Sequence, residues 1–149
     1  MQGNFYGFQQ RRFLLLLGWG LLSIIAGFAV QRNAKSFWQQ FGIQALTWGA
    51  IDAALALFGL TSANKKEERY VHGELDSRDE QKEARTFYRI LLINAVLDVG
   101  YITGGAWFMQ RFKAREDRRG MGLGILVQGL WLFLFDCLVS QEVCRDWKV

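Results

Sequence analysis

The chain has no proline, a single histidine and two cysteines among its 149 residues, and each scarcity excludes something. Without proline, no helix is broken by the commonest device. Discontinuous helices of the kind many secondary transporters use are therefore not expected, and only Gly104 and Gly105 mark a place where a helix could bend. Cys137 and Cys144 do not form a CxxC pair; one sits inside an apolar stretch and the other near its end, which argues against a disulfide or a redox centre. His72 stands alone and is expected to be an exposed loop residue. No acidic cluster with metal-ligand spacing lies outside the apolar stretches, and no glycine-rich phosphate loop or serine nucleophile elbow occurs. Catalytic residues, metals and cofactors are accordingly not expected.

The most informative absence is of lysine and arginine from four apolar stretches. Phe13 to Val30 has no charge, whereas Phe41 to Leu60 holds only Asp52, Ile90 to Gln110 only Asp98, and Met121 to Ser140 only Asp136. Each stretch is about 18 to 21 residues long, close to what a helix needs to cross roughly 30 Å of hydrocarbon. The expected fold is an all-α polytopic membrane protein, a single four-transmembrane-helix bundle built of two helical hairpins, with spans 13–30, 41–60, 90–110 and 121–140. A soluble four-helix bundle would need a long polar face on every helix. Leu14 to Leu17, followed by Gly18, Trp19, Gly20, Leu21 and Leu22, offers none. Arg11 and Arg12 ahead of an apolar run also suit a signal peptide, but the run is long for one and the other spans need a partner, so it is read as retained.

Two short connections, 31–40 and 111–120, close the hairpins, and a longer polar loop, 61–89, joins them. Within that loop Ser77 and Glu80 match a capping box, which starts the third helix at about residue 78, outside the bilayer. Phe5, Tyr6 and Phe8, with Trp38 and Trp147, look like interfacial anchors. Arg11, Arg12, Arg145, Lys148 and the basic residues of the long loop share one side, which places both termini in the cytoplasm of a cell inner membrane. The basic loop 111–120 opposes that assignment. A net charge of +4, carried by residues flanking the spans, fits membrane lipids as partners and not nucleic acid.

The sixteen glycines are concentrated in and near the spans, where they let helix backbones approach. The hairpins also invite comparison as a duplication, since Gln44 and Asp52 recur at the same separation as Gln128 and Asp136, and Arg12 and Arg89 each lead into a span.

An ionisable group at membrane depth costs roughly 2.5 kcal/mol or more, so three aspartates without a basic partner mark a functional site by default. Counting from the side that holds the termini, Asp52 and Asp98 lie roughly 12 to 13 Å deep and Asp136 roughly 6 Å. Matched depth on antiparallel helices lets Asp52 and Asp98 meet, where like charge and desolvation keep at least one protonated. Asn94 and Tyr101, a turn either side of Asp98, and Trp48, a turn before Asp52, are candidate donors. The leading expectation is a site for a proton, a cation or a small polar ligand, possible coupling to transport included. Asp98 is its main titrating group, Asp52 the partner, Asp136 the group nearer the entrance, and Asn94, Tyr101 and Gln128 orient the ligand. Three other readings stand beside it: a buried network that only fixes helix register, a homo-oligomer or accessory subunit of a larger membrane complex, and a lipid- or quinone-binding protein or enzyme with a pocket beside the carboxylates.

The run from Arg89 through Asn94, Asp98, Gly100 and Tyr101 to Gly105, then Gly122, Gly124, Gln128 and Gly129, and Phe133 to Asp136, resembles an uncharacterised family of small bacterial four-helix membrane proteins; Trp48 to Gly59 resembles it more loosely. The resemblance implies a four-helix membrane fold without an activity, and it singles out Asn94, Asp98, Tyr101, Gln128 and Asp136. Asp52 stands where the resemblance leads us to expect an asparagine or another polar residue.

Overall fold

The computed structural model describes residues 4–33 and 35–149, and these form four helices: α1 (Phe5–Asn33), α2 (Ser36–Val71), α3 (Ser77–Arg111) and α4 (Glu116–Trp147). All four are long and apolar enough to cross a membrane. Their outward faces carry large apolar side chains, among them Ile25, Phe58 and Val96, that water would not tolerate in such numbers. Lipid is the solvent this surface suits.

The expected polar loop 61–89 is largely helical. Residues 61–71 prolong α2, because Ala63, Lys65, Lys66, Glu67, Glu68 and Arg69 are good helix formers even though they are polar. The chain then reverses through Gly73, whose φ of +75° suits glycine. The capping box exists one residue earlier than expected. Asp76, not Ser77, is the N-cap: its carboxylate accepts from the Arg78 and Asp79 amides at 2.8 and 3.0 Å, while Asp79 reaches back to the Asp76 amide.

The ends of the bundle are packed differently. At the end that holds the termini, Phe5, Phe8, Phe87, Leu91, Val139 and Val143 form an aromatic-rich core with Trp147 against it. Phe5 and Phe8 lie 4.9 and 4.8 Å from the Trp147 ring, and the first amide of α1, on Phe5, donates to Glu80 of α3 at 2.6 Å. Phe5, Tyr6 and Phe8 are thus buried plugs of the bundle and not the interfacial anchors expected, because the extension of α2 and α3 beyond the apolar spans gives them something to pack on. At the other end glycines bring α2 and α4, which run parallel, close together, with Gly124 against Gln44 and Gly120 against Phe37.

The glycine contacts expose an internal repeat. A Cβ on Gly27 would press on the Gly42 carbonyl and the Leu46 amide, and a Cβ on Gly105 would press on the Gly122 carbonyl and the Leu126 amide. Gly49 abuts Gly20, Ser23 and Ile24 as Gly129 abuts Asp98, Tyr101 and Ile102. Between the hairpins, Gln9 reaches Glu83 and Phe5 meets Phe87, a pair of contacts that exchange when the halves are exchanged. One hairpin therefore repeats the other about an axis along the bundle. The register is not the one suggested by Gln44, Asp52, Gln128 and Asp136: Gln44 is equivalent to Gly124, which it faces, and Asp52 is equivalent to Leu132.

Candidate functional site

Asp52, Asp98, Asp136 and Gln128 are all buried, at 2 to 5% exposure, on the inner faces of α2, α3 and α4. Their pairing follows the direction of the Cα–Cβ bond, which tilts toward a helix's N-terminus. Asp98 on α3 leans toward the end that holds the termini, while Asp136 on the antiparallel α4 leans away from it. The two carboxyls converge between their Cα levels and are side-chain neighbours within hydrogen-bonding reach. Asp52 on α2 leans away from Asp98 and meets Gln128, whose amide nitrogen donates to its Oδ2. The expected Asp52–Asp98 pair is thus replaced by an Asp98–Asp136 pair, with Asp52 close enough to interact with both charges.

Gln128 is the hub of this arrangement. While it donates to Asp52, its Oε1 accepts from the Trp19 indole N–H at 3.3 Å, linking α1, α4 and α2. Trp19 in turn stacks on Trp131, with ring centroids 4.2 Å apart and planes 20° from parallel. Trp19 escaped the sequence reading. A buried indole N–H needs an acceptor, but nothing in the first span says which helix supplies it.

Asn94 and Tyr101 are not brought to the carboxyls. The buried stripe of α3 runs through Ala84, Phe87, Leu91, Ala95, Asp98 and Gly105; at 100° per residue Asn94 and Tyr101 fall on the flank away from Ala95 and are exposed. Tyr101 packs edge-on against Trp48 instead, at 5.1 Å and 68°, so Trp48 joins α2 to α3 without touching Asp52 through a hydrogen bond. Thr103 spends its hydroxyl on the Val99 carbonyl of its own helix.

Among the described residues no lysine or arginine side chain enters the cluster, whose charge must be balanced from within. One carboxyl oxygen of Asp98, Oδ2, is buried without an acceptor or donor partner among the described residues. A cavity of about 170 Å³ is bounded by Trp19, Ser23, Phe41, Gly124 and Gln128, and none of the three aspartates lines it. Among the described residues no group of three or more histidine, cysteine or acidic side chains is arranged to hold a metal ion.

A family model matches residues 15–137, which reaches into all four helices and takes in the whole cluster. The chain belongs to the family of unknown function DUF6992. Neither a curated protein nor a solved structure matches it. Membership spans both hairpins, so the repeat and the three aspartates lie within the family's own segment and not in an appendage to it.

Proposed function

We propose that this chain is a small integral membrane protein whose buried carboxyls bind a proton, with Asp98 and Asp136 sharing it and Asp52 held by Gln128 as the neighbouring charge. The close approach of Asp98 and Asp136, with no cationic side chain between them, carries this reading. Two adjacent carboxylates in a medium of low dielectric cannot both stay ionised, and a shared proton removes one charge while supplying the donor that Asp98 Oδ2 lacks. A cation or a polar ligand fits less well, because the cavity beside Gln128 does not reach the pair. Such a site can load and release a proton from the side of the termini, the nearer surface, and coupling to transport in a bacterial inner membrane with cytoplasmic termini completes the reading. Proton flux through vesicles holding the wild type and Asp98→Asn tests it. Flux in the wild type that the substitution abolishes is expected; equal flux in both, or none in either, counts against transport.

A second reading, a register-fixing network in a structural or accessory subunit, is favoured by the same closed packing. Asp52, Gln128 and Trp19 are satisfied within the chain. A stable larger assembly in mild detergent, with carboxyls indifferent to pH, would support it over the first.

A further inference from the structure

We infer that the groove between α1 and α4 is a binding site for one anionic phospholipid of the surrounding bilayer, its phosphate on Arg12 and an acyl chain along the Trp19–Trp131 wall. The two hairpins meet through α2 and α4 at one end and through α1 and α3 at the other, which leaves the backbones of α1 and α4 apart, bridged only by side chains such as Trp19 on Trp131 and Arg12 on Glu142. The gap is a cavity of about 900 Å³ open to the membrane, walled by Leu15, Gly18, Trp19, Leu22, Trp131 and Leu138. From Arg12 to Leu22 the apolar wall runs roughly 15 Å along α1, the scale of an acyl chain.

The mouth and the floor say what occupies it. Arg12 and Arg145 stand at the mouth, at the level where headgroups lie. Glu142 faces Arg12 Nη2 at 2.8 Å and Asp146 holds Arg145 at 2.7 Å, which fixes both guanidiniums; these four charges balance, and the exposed Arg11, next to Arg12 in the chain, adds one positive charge near the mouth. The Arg12 Nε–H is shielded from water and has no acceptor among the described residues. Glu142 Oε2, facing Arg12 Nη2, is shielded without a hydrogen bond as well, and of the groups the bilayer offers at that depth a phosphate oxygen is the strong acceptor. About two turns deeper, roughly 10 Å, the Trp131 indole N–H is likewise shielded without an acceptor. A phospholipid carries ester carbonyls below its phosphate, so one molecule supplies both missing acceptors. The counterpart groove between α3 and α2 has Ile90 where Arg12 stands and Ile51 where Trp131 stands, and it offers neither donor.

The test is retention of lipid by the full chain, reconstituted into vesicles of equal parts phosphatidylcholine and phosphatidylglycerol and re-extracted in mild detergent. The wild type is expected to keep phosphatidylglycerol in near-stoichiometric amount. Gly18→Phe fills the groove from a position where a Cβ meets nothing within 4 Å, so the fold tolerates it; it should lower retention about tenfold or more, and Arg12→Gln should remove the preference for phosphatidylglycerol by a similar factor. Asp98→Asn should retain lipid as the wild type does, which separates this site from the carboxyl pair. Wild-type retention by Gly18→Phe, or retention of the two lipids in the vesicle's own ratio, would overturn the proposal.

Discussion

The two hairpins share a backbone and differ in chemistry. Gly27 in the first and Gly105 in the second make the same contacts with the helix that follows, as do Gly49 and Gly129. Yet the first hairpin holds one buried aspartate and the second holds two, and where the second has Asp98 the first has Gly20. Close glycine packing is therefore the property of the repeat. The carboxyl pair belongs to one half alone, completed by Gln128 and Asp52 across the α2–α4 contact. A scaffold repeated for packing has been differentiated into a site on one side and a lipid-facing groove on another.

Breaking the shared scaffold should have the largest effect, and the same effect in both halves. Gly27→Val and Gly105→Val put a Cβ 2.5 and 2.8 Å from facing backbone carbonyls, and each should cost about 2 to 3 kcal/mol or more, read as thermal unfolding in detergent. Gly104→Ala, next to Gly105 but facing open space, should change stability by no more than about 0.5 kcal/mol. Unequal losses at Gly27 and Gly105 would break the equivalence of the hairpins.

The difference between the hairpins is sharpened by Gln128 and its equivalent, Trp48. Gln128→Leu leaves Asp52 buried without its donor and Trp19 without its acceptor, and should destabilise by roughly 1 to 3 kcal/mol. Trp48→Phe keeps the edge-on contact with Tyr101 and breaks no hydrogen bond, so its cost should stay below about 1.5 kcal/mol. Similar losses in the two would mean that the polar network carries no more than packing does.

The turn between the hairpins responds least. Hydrogen bonds, first from the Asp79 amide and then from Arg78, hold the Asp76 carboxyl below the usual carboxylate range. A group held low in the folded state contributes fully above its unfolded value and loses that contribution as pH falls through the folded one. Protection of the Arg78 and Asp79 amides from hydrogen exchange, taken against the intrinsic rate at each pH, should fall at acid pH in the wild type. In Asp76→Ala that protection should be low at every pH, with both hairpins intact.

Four spans and two hairpins were legible because charge is excluded in blocks, and hydrocarbon imposes that exclusion regardless of tertiary detail. The true helix lengths were not, since residues 61–71 continue α2 on propensity alone, with no apolar signal to mark them. The aspartates announced themselves by their cost, but their partners did not. Depth counted along the axis paired Asp52 with Asp98, whereas the tilt of each side chain toward its helix's N-terminus pairs Asp98 with Asp136 and sends Asp52 to Gln128. Asn94 failed for a related reason: four residues from Asp98 is close on a helix, yet it lies on the wrong flank of a stripe set by Leu91 and Ala95. The departure at Asp52 from the polar residue expected there fits its place in the structure, bonded to Gln128 and outside the closest pair.

The most direct test of a shared proton is the infrared stretch of a protonated carboxyl at neutral pH in lipid, compared among the wild type, Asp98→Asn, Asp136→Asn and Asp52→Asn. A proton shared by Asp98 and Asp136 gives such a band in the wild type, lost in either Asp98→Asn or Asp136→Asn and surviving in Asp52→Asn. Absence of the band from the wild type, or its loss in Asp52→Asn alone, would contradict it.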